Sequence, residues 1–344
     1  AGSKILKGYK PLFDATVIKN VKEQGGIIIG KTAQDEFGFG SFSVNVGLGF
    51  EVPKNPFDKT RACGGSSGGA GGITKKASFP HIALGESTGG SIACPASFCG
   101  VFGLCPTYGR VSRYGLMDYA NSLDKIGPLG NNIYDVALLL ETIAGFDNNE
   151  STTTNNPTEK YTESINKNTR TNTRTKFGVH CVDSGTNSVG IKNMKIGIIK
   201  ESFKDIDKNV EKNVRNGVKK LEERGAKAEE ISLKLPIEHG LSTYYIIAAS
   251  EASTNLAKYC GMRYGITDKL EGNFNEYFTK VRSNNFGAEA KRRIILGTFA
   301  RMSGYRDAYY IKATKVRAMI VDEYKKLFKK YDALISPTMP IVAP

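Results

Sequence analysis

Two short segments constrain this chain more than anything else in it: Gly64-Gly65-Ser66-Ser67-Gly68-Gly69 and Gly85-Glu86-Ser87-Thr88-Gly89-Gly90-Ser91. Glycine opens backbone paths closed to other residues and lets segments approach closely, while weakening helices and strands. Of the 38 glycines in 344 residues, 25 lie in residues 1–150. Residues 38–110 are therefore too glycine-rich for long regular elements, and tight turns are expected there. At roughly 150 residues per domain, the length suits two domains or one large α/β unit.

Charge is distributed the opposite way. Lys+Arg number 48 against 34 Asp+Glu, a net charge of +14, yet residues 1–150 are nearly neutral and the remainder carries +13. A basic surface attracts nucleic acid, but lysines that merely solvate helices give the same balance. With 40% hydrophobic and 24% charged residues, the chain reads as soluble and globular. No apolar run approaches the roughly 18 residues of a spanning helix, and AGSKILKGYK has no signal-peptide core. Beginning with Ala1 rather than Met, the chain is expected to be processed or incomplete. Cys63, Cys94, Cys99, Cys105, Cys181 and Cys260 form no C-x-x-C pair, and His81, His180 and His239 are scattered. That spacing argues against zinc and for free thiols in a reducing cytosol.

Periodicity predicts a helix with Val17, Ile18 and Val21 on one face, stopped at Gly25-Gly26, then a buried β-run at Ile27-Ile28-Ile29. A helix after Gly127-Pro128 is capped by Asn132, buries Val136, Leu139, Leu140 and Ile143, and ends at Gly145. Residues 148–188 are Asn/Thr-rich and read as a polar linker or surface excursion. Beyond them, a strand at Ile196–Ile199, a helix with Val210, Val214, Val218 and Leu221, and a β-run near Ile231 predict a βαβ unit. Val316, Ile320, Tyr324 and Leu327 mark a further helix, and Ala333–Ser336 a strand. The alternation argues an α/β fold.

Three chemistries compete for the glycine–serine segments. Phosphate cradling would use their backbone amides, but neither segment ends in the Gly-Lys-Ser/Thr of a phosphate loop. Gly85-Glu86-Ser87-Thr88-Gly89 fits G-x-S-x-G, with Phe79–Leu84 as the strand and His180 or His239 as base. Gly89-Gly90 and Pro95 suit the sustained helix of such an elbow poorly. The third reading takes one serine from each segment. A serine nucleophile must hand on its proton, and a neutral lysine with a relaying second serine can accept it.

The sequence resembles the amidase-signature family. The resemblance rests on Gly64–Gly69, Thr88–Ile92, Pro95–Gly100 and Gly103–Gly115. Three stretches look like its branch of A subunits from aspartyl/glutamyl-tRNA amidotransferases, on the archaeal side: Asn121–Pro128, Ser250–Leu256 and Lys291–Phe299. It implies one amidase-signature domain over 1–344, with a central mixed twisted β-sheet flanked by helices and truncated at both ends. It further implies Ser91 as acyl-ester nucleophile, Ser66 as relay after a cis peptide bond, and the amides of Thr88, Gly89 and Gly90 as oxyanion hole. Tyr244 and Arg293 would hold glutamine.

The branch implies a cytoplasmic glutaminase subunit that supplies ammonia to B and C partners for amidating misacylated Glu-tRNA(Gln) or Asp-tRNA(Asn). This subunit would need no cofactor, ATP and Mg²⁺ serving the partner subunit, and no membrane. The triad lysine matches no residue here, since Lys4, Lys7 and Lys10 follow the strand that carries it in the family. Ser87 stands where many members have Asp, and Ala93 where many have Arg. The competing readings are a stand-alone amidase acting on small amides and a catalytically inactive interaction subunit.

Overall fold

A computed structural model describes residues 1–47, 49–167 and 191–344. Its helices are α1 (Thr16–Glu23), α2 (Gly68–Lys76), α3 (Ala93–Cys99), α4 (Ile133–Ile143), α5 (Tyr161–Lys167), α6 (Lys208–Glu223), α7 (Lys234–Asn255), α8 (Phe274–Asn285), α9 (Ala288–Arg301) and α10 (Lys312–Leu327). The strands are β1 (Ala83–Ser87), β2 (Phe102–Gly103), β3 (Lys125–Gly130), β4 (Lys195–Ile199), β5 (Lys227–Ile231) and β6 (Ala333–Ile335). The α/β class is as expected. Among the described residues the strands form two three-stranded sheets, and no helix is long and apolar enough to cross a membrane.

The chain's contacts divide into two compact units. The first holds Ala1–Glu159 and Tyr244–Lys312. Its sheet is antiparallel in the order β1-β3-β2, with Gly85 opposite Gly127 and Ser87 opposite Lys125. The middle strand reads Lys-Ile-Gly-Pro-Leu-Gly, a composition that resembles a turn. Its last five residues are all buried. A core of Ile5, Phe37, Phe39, Tyr119, Ala248, Leu256, Tyr277, Val281 and Ala290 gathers the early loops against α7, α8 and α9.

Helix α4 forms as its periodicity predicts, and the Asn132 side chain accepts the Asp135 N–H at 2.8 Å. Helix α1 also forms. The β-run after it does not: Ile27, Ile28 and Ile29 are in no regular element and are exposed. Apolar β-branched residues favour a strand only where another strand completes the ladder, and none of the described residues pairs with this segment. The start of the polar stretch is held firmly. Thr153 is buried and hydrogen-bonds around Asp147, and Arg110 donates to the carbonyls of Asn156 and Pro157. Residues 168–188 of that stretch, with His180 and Cys181, lie outside the described residues.

The second unit holds Lys160–Thr243 and Ala313–Val342. Strands β5 and β6 both run parallel to β4, which lies between them, and α6 connects β4 to β5 as the βαβ reading predicts. Asp207 caps α6 through the N–H groups of Asn209 and Val210, and Gly225 (φ 93°) ends it. Ile199, Ile231 and Leu233 form its buried core.

Candidate active site

The two glycine–serine segments meet. The Ser67 N–H donates to the Ser91 carbonyl at 3.2 Å, and Ser67 Oγ donates to the Glu86 carbonyl at 3.1 Å. These bonds set the start of α2 against the end of β1. The peptide bond Gly65–Ser66 is cis, as the resemblance implies. The Ser66 carbonyl accepts the Asp35 N–H at 3.2 Å and the Ser43 hydroxyl at 3.0 Å. Asp35 in turn accepts from the Ser43 and Asn45 N–H groups. Burial raises its carboxyl above the usual range against the pull of these donors and of Arg293.

Ser66 is 1% exposed, and its Oγ has no hydrogen-bond partner among the described residues. An unpaired buried hydroxyl forfeits about 1–3 kcal/mol of hydrogen bonding, so Ser66 Oγ is the atom here most in need of a partner. Ser91 is also buried and follows Gly89-Gly90, both exposed. A side chain on Gly90 would meet nothing within 4 Å, whereas one on Gly89 would meet the Tyr244 ring at 3.2 Å. Gly90 thus borders open space and Gly89 borders the Tyr244 ring.

Ser87 is placed differently. It is the last residue of β1, 1% exposed, and its hydroxyl donates to the Gly89 carbonyl at 3.0 Å. The helix that follows, α3, is seven residues long and starts only at Ala93, with Pro95 accommodated in its first turn. An elbow requires a sharp exposed turn at the serine, and Ser87 sits in a buried strand instead. His239 is exposed in the second unit.

Tyr244 and Arg293 are brought together by a residue that sequence reasoning missed. Tyr119, 2% exposed, accepts a hydrogen bond from Arg293 Nη1, and the Tyr244 hydroxyl donates to it at 3.4 Å. Arg293 Nε donates to Glu289 Oε1 at 2.9 Å. Its guanidinium carbon stands 5.1 Å from the Phe39 ring centre, 5.5 Å from that of Tyr119 and 5.1 Å from that of Tyr245, positions that stabilise a cation. Burial works against the charge, but Tyr119, Glu289 and Tyr244 outweigh it and raise the pKa of Arg293. Helix α9 is positioned at its start by the Glu36 carboxylate, which accepts the Gly287 N–H. Arg293 is thus a buried, aromatic-boxed cation, which the pair Arg292-Arg293 does not reveal in sequence.

A second missed group lies under residues 88–91. The Thr88 hydroxyl sits 2.9 Å from Glu86 Oε1 and 2.8 Å from Asp124 Oδ1. Burial first, then the Asp124 charge, push the Glu86 carboxyl up to about 8, while Thr88 and Lys125 pull the other way. Asp124 rises to about 6, raised by burial and restrained by hydrogen bonds from Ala120, Thr88 and Tyr119. Only the bulk of the motif Asn121–Pro128 hinted at Asp124; nothing local marked Glu86.

The amidase family matches residues 1–344. The chain is 46% identical over 342 residues to the A subunit of glutamyl-tRNA(Gln) amidotransferase from Sulfurihydrogenibium sp., covering 99% of this chain and 65% of that one. The corresponding protein of Methanosarcina mazei is 45% identical over 98% of this chain and 66% of its own length. This chain therefore spans about two thirds of the length of these relatives. The crystal structure of the same A subunit from Thermotoga maritima superposes with a TM-score of 0.74 at 36% identity, over all of this chain and 65% of that one. A 6-aminohexanoate cyclic dimer hydrolase shares the fold, with a TM-score of 0.79 at 20% identity. With the family match along its whole length and a relative 46% identical over 99% of it, this chain belongs to the amidase family.

Proposed function

We propose that this chain is the glutamine-hydrolysing part of a tRNA-dependent amidotransferase. Ser91 Oγ attacks the side-chain carboxamide carbon of glutamine, and the oxyanion that develops is met by the amides of Thr88, Gly89, Gly90 and Ser91. Collapse of that intermediate expels ammonia and leaves an acyl ester on Ser91. Water then releases glutamate. Removing one oxyanion donor typically costs about 10²–10³ in rate, so this segment matters as much as the nucleophile.

The observation that carries the reading is Ser66 Oγ, a buried hydroxyl without a partner on the segment that is hydrogen-bonded to Ser91. Such a hydroxyl is suited to relay a proton from Ser91 to a base and back to the leaving amine. In this reading the base is a lysine belonging to the third of the relatives' length that this chain does not span. Arg293 pairs with the α-carboxylate of glutamine, and Tyr244 lines the path between that cation and Gly89.

Ammonia passes to a B subunit that, with a C subunit, amidates misacylated Glu-tRNA(Gln) or Asp-tRNA(Asn). The hydrolysis itself uses hydroxyls, amides and an amine, while ATP and Mg²⁺ serve the partner's activation of the acyl-tRNA. The reading places the chain in the cytoplasm.

The test uses the full-length polypeptide assembled with B and C subunits. Ser91→Ala should abolish glutamine hydrolysis and leave the thermal transition in place, and Ser87→Ala should retain hydrolysis. The opposite pattern would restore the elbow reading. Rapid cleavage of unrelated aliphatic amides without partners would establish a stand-alone amidase instead.

A further inference from the structure

The contacts of Thr88 contain a proton count. Its hydroxyl is within hydrogen-bond distance of Glu86 Oε1 and of Asp124 Oδ1, yet a hydroxyl has one proton to donate. The second contact closes only if one carboxyl itself carries a proton. Asp124 is the anion of the pair, because the Tyr119 and Ala120 N–H groups donate to it at 2.8–3.0 Å, and such donors favour the charged form. Glu86 receives no backbone N–H among the described residues. The network therefore runs from the Glu86 acid proton to Thr88 Oγ1, and from the Thr88 proton to Asp124.

We propose that Glu86, held as a neutral acid, is a positioning residue for the oxyanion segment, clamping Thr88 against Asp124, and that the clamp opens when Glu86 loses its proton. The inference rests on the reading of residues 88–91 given above. Glu86 lies on β1, whose chain runs directly into Thr88–Ser91, and Asp124 immediately precedes β3, its partner strand. The clamp thus joins the two chains where the ladder stops. The other oxygen of Glu86 faces Gly38: a Cβ there would lie 3.0 Å from Oε2 and 3.6 Å from Ser66 Oγ. A negative charge at Glu86 would also oppose the charge that develops on an oxyanion nearby.

Among the described residues the titratable groups facing Glu86 are Asp124 just before β3, Lys125 at its start, Cys105 after β2, and Tyr244 on α7. Among these described groups Lys125 is the cation, and its Nζ donates to the Leu123 carbonyl at 2.7 Å; the base lysine of the proposed function would add a second near Ser66. It favours the charged form of Glu86 but does not outweigh burial and Asp124.

The experiment compares Glu86→Gln with wild type in the full-length complex. Glutamine is permanently neutral and can donate to Thr88. From about pH 7 to about pH 9 the protonated fraction of an acid titrating near 8 falls roughly tenfold. The ratio of the kcat of the Gln variant to that of wild type should climb toward that factor over this interval. A ratio that stays flat while wild type is active overturns the inference; a wild type that hydrolyses no glutamine overturns the proposed function instead.

Thermal unfolding supplies an arm independent of activity. The folded protein keeps the Glu86 proton up to about 8, while the unfolded chain releases it near 4.5. Between these values the folded state binds more protons, so stability falls as pH rises. The Tm advantage of Glu86→Gln over wild type should widen from about pH 5 to about pH 8, and a constant difference would show that Glu86 is not held neutral.

Discussion

Ser66, Ser87 and Ser91 carry the same hydroxyl, and their surroundings separate them. Ser87 donates to the Gly89 carbonyl at the end of a strand, Ser66 is buried with no hydrogen-bond partner for its hydroxyl among the described residues, and Ser91 follows two exposed glycines. The spacing of the two segments was enough to single out these serines, but not to choose between an elbow at Ser87 and a pair at Ser66 and Ser91. Tyr119 was invisible from sequence because its partner Arg293 is 174 positions away. Tyr119→Phe removes the hydroxyl that links Arg293 to Tyr244 and keeps the ring. Hydrogen bonds to charged groups contribute about 1.5–3 kcal/mol, so KM for glutamine should rise roughly tenfold or more. In the proposed function Arg293 holds the substrate carboxylate, so losing the contact that orients it should change kcat much less. Steady-state kinetics on the full-length complex read this split directly.

At the scale of elements, two helical glycines make opposite predictions. Gly217 lies within α6, where an added Cβ meets nothing within 4 Å. Gly217→Ala should therefore stabilise the protein by about 0.5–1 kcal/mol through helix propensity. Gly297 lies within α9, where a Cβ would stand 1.8 Å from the Ala249 carbonyl oxygen. Gly297→Ala should destabilise despite the same propensity gain, because the backbones of α7 and α9 must separate. Denaturant melts of the two variants check both signs. The apolar stripes of α1, α4, α6 and α10 were legible because a 3.6-residue period is local. Strand β3 was not, since Gly127-Pro128 resembles a turn and only the flanking strands β1 and β2 make it the middle of a sheet.

At the scale of the molecule, the contacts fall into two units, and each has its own sheet and buried residues. Ile196, 1% exposed, sits in β4, the middle strand of the parallel sheet. Truncating a buried isoleucine to alanine typically costs about 2–5 kcal/mol. Ile196→Ala should lower amide-exchange protection in β4 and β5 while β1 and β3 keep theirs, as expected where cooperative units follow compact ones. Equal loss in both sheets would mean that the two units open together.

Local sequence determined the βαβ unit of β4, α6 and β5, the Asn132 cap and the glycine–serine character of the two segments, because periodicity, capping and turn chemistry act over a few residues; that the segments meet is a tertiary contact. The same local logic failed at Ile27–Ile29, where strand propensity has no ladder partner among the described residues. Only the tertiary structure decided the charge states at the site. Thr88 meets Asp124 from 36 positions away, and the proposed protonation of Glu86 rests on that contact. Arg293 becomes a boxed cation only when Phe39, Tyr119 and Tyr245 converge on it. Ionisation depends on the dielectric and the neighbours around each group, and distant segments supply both.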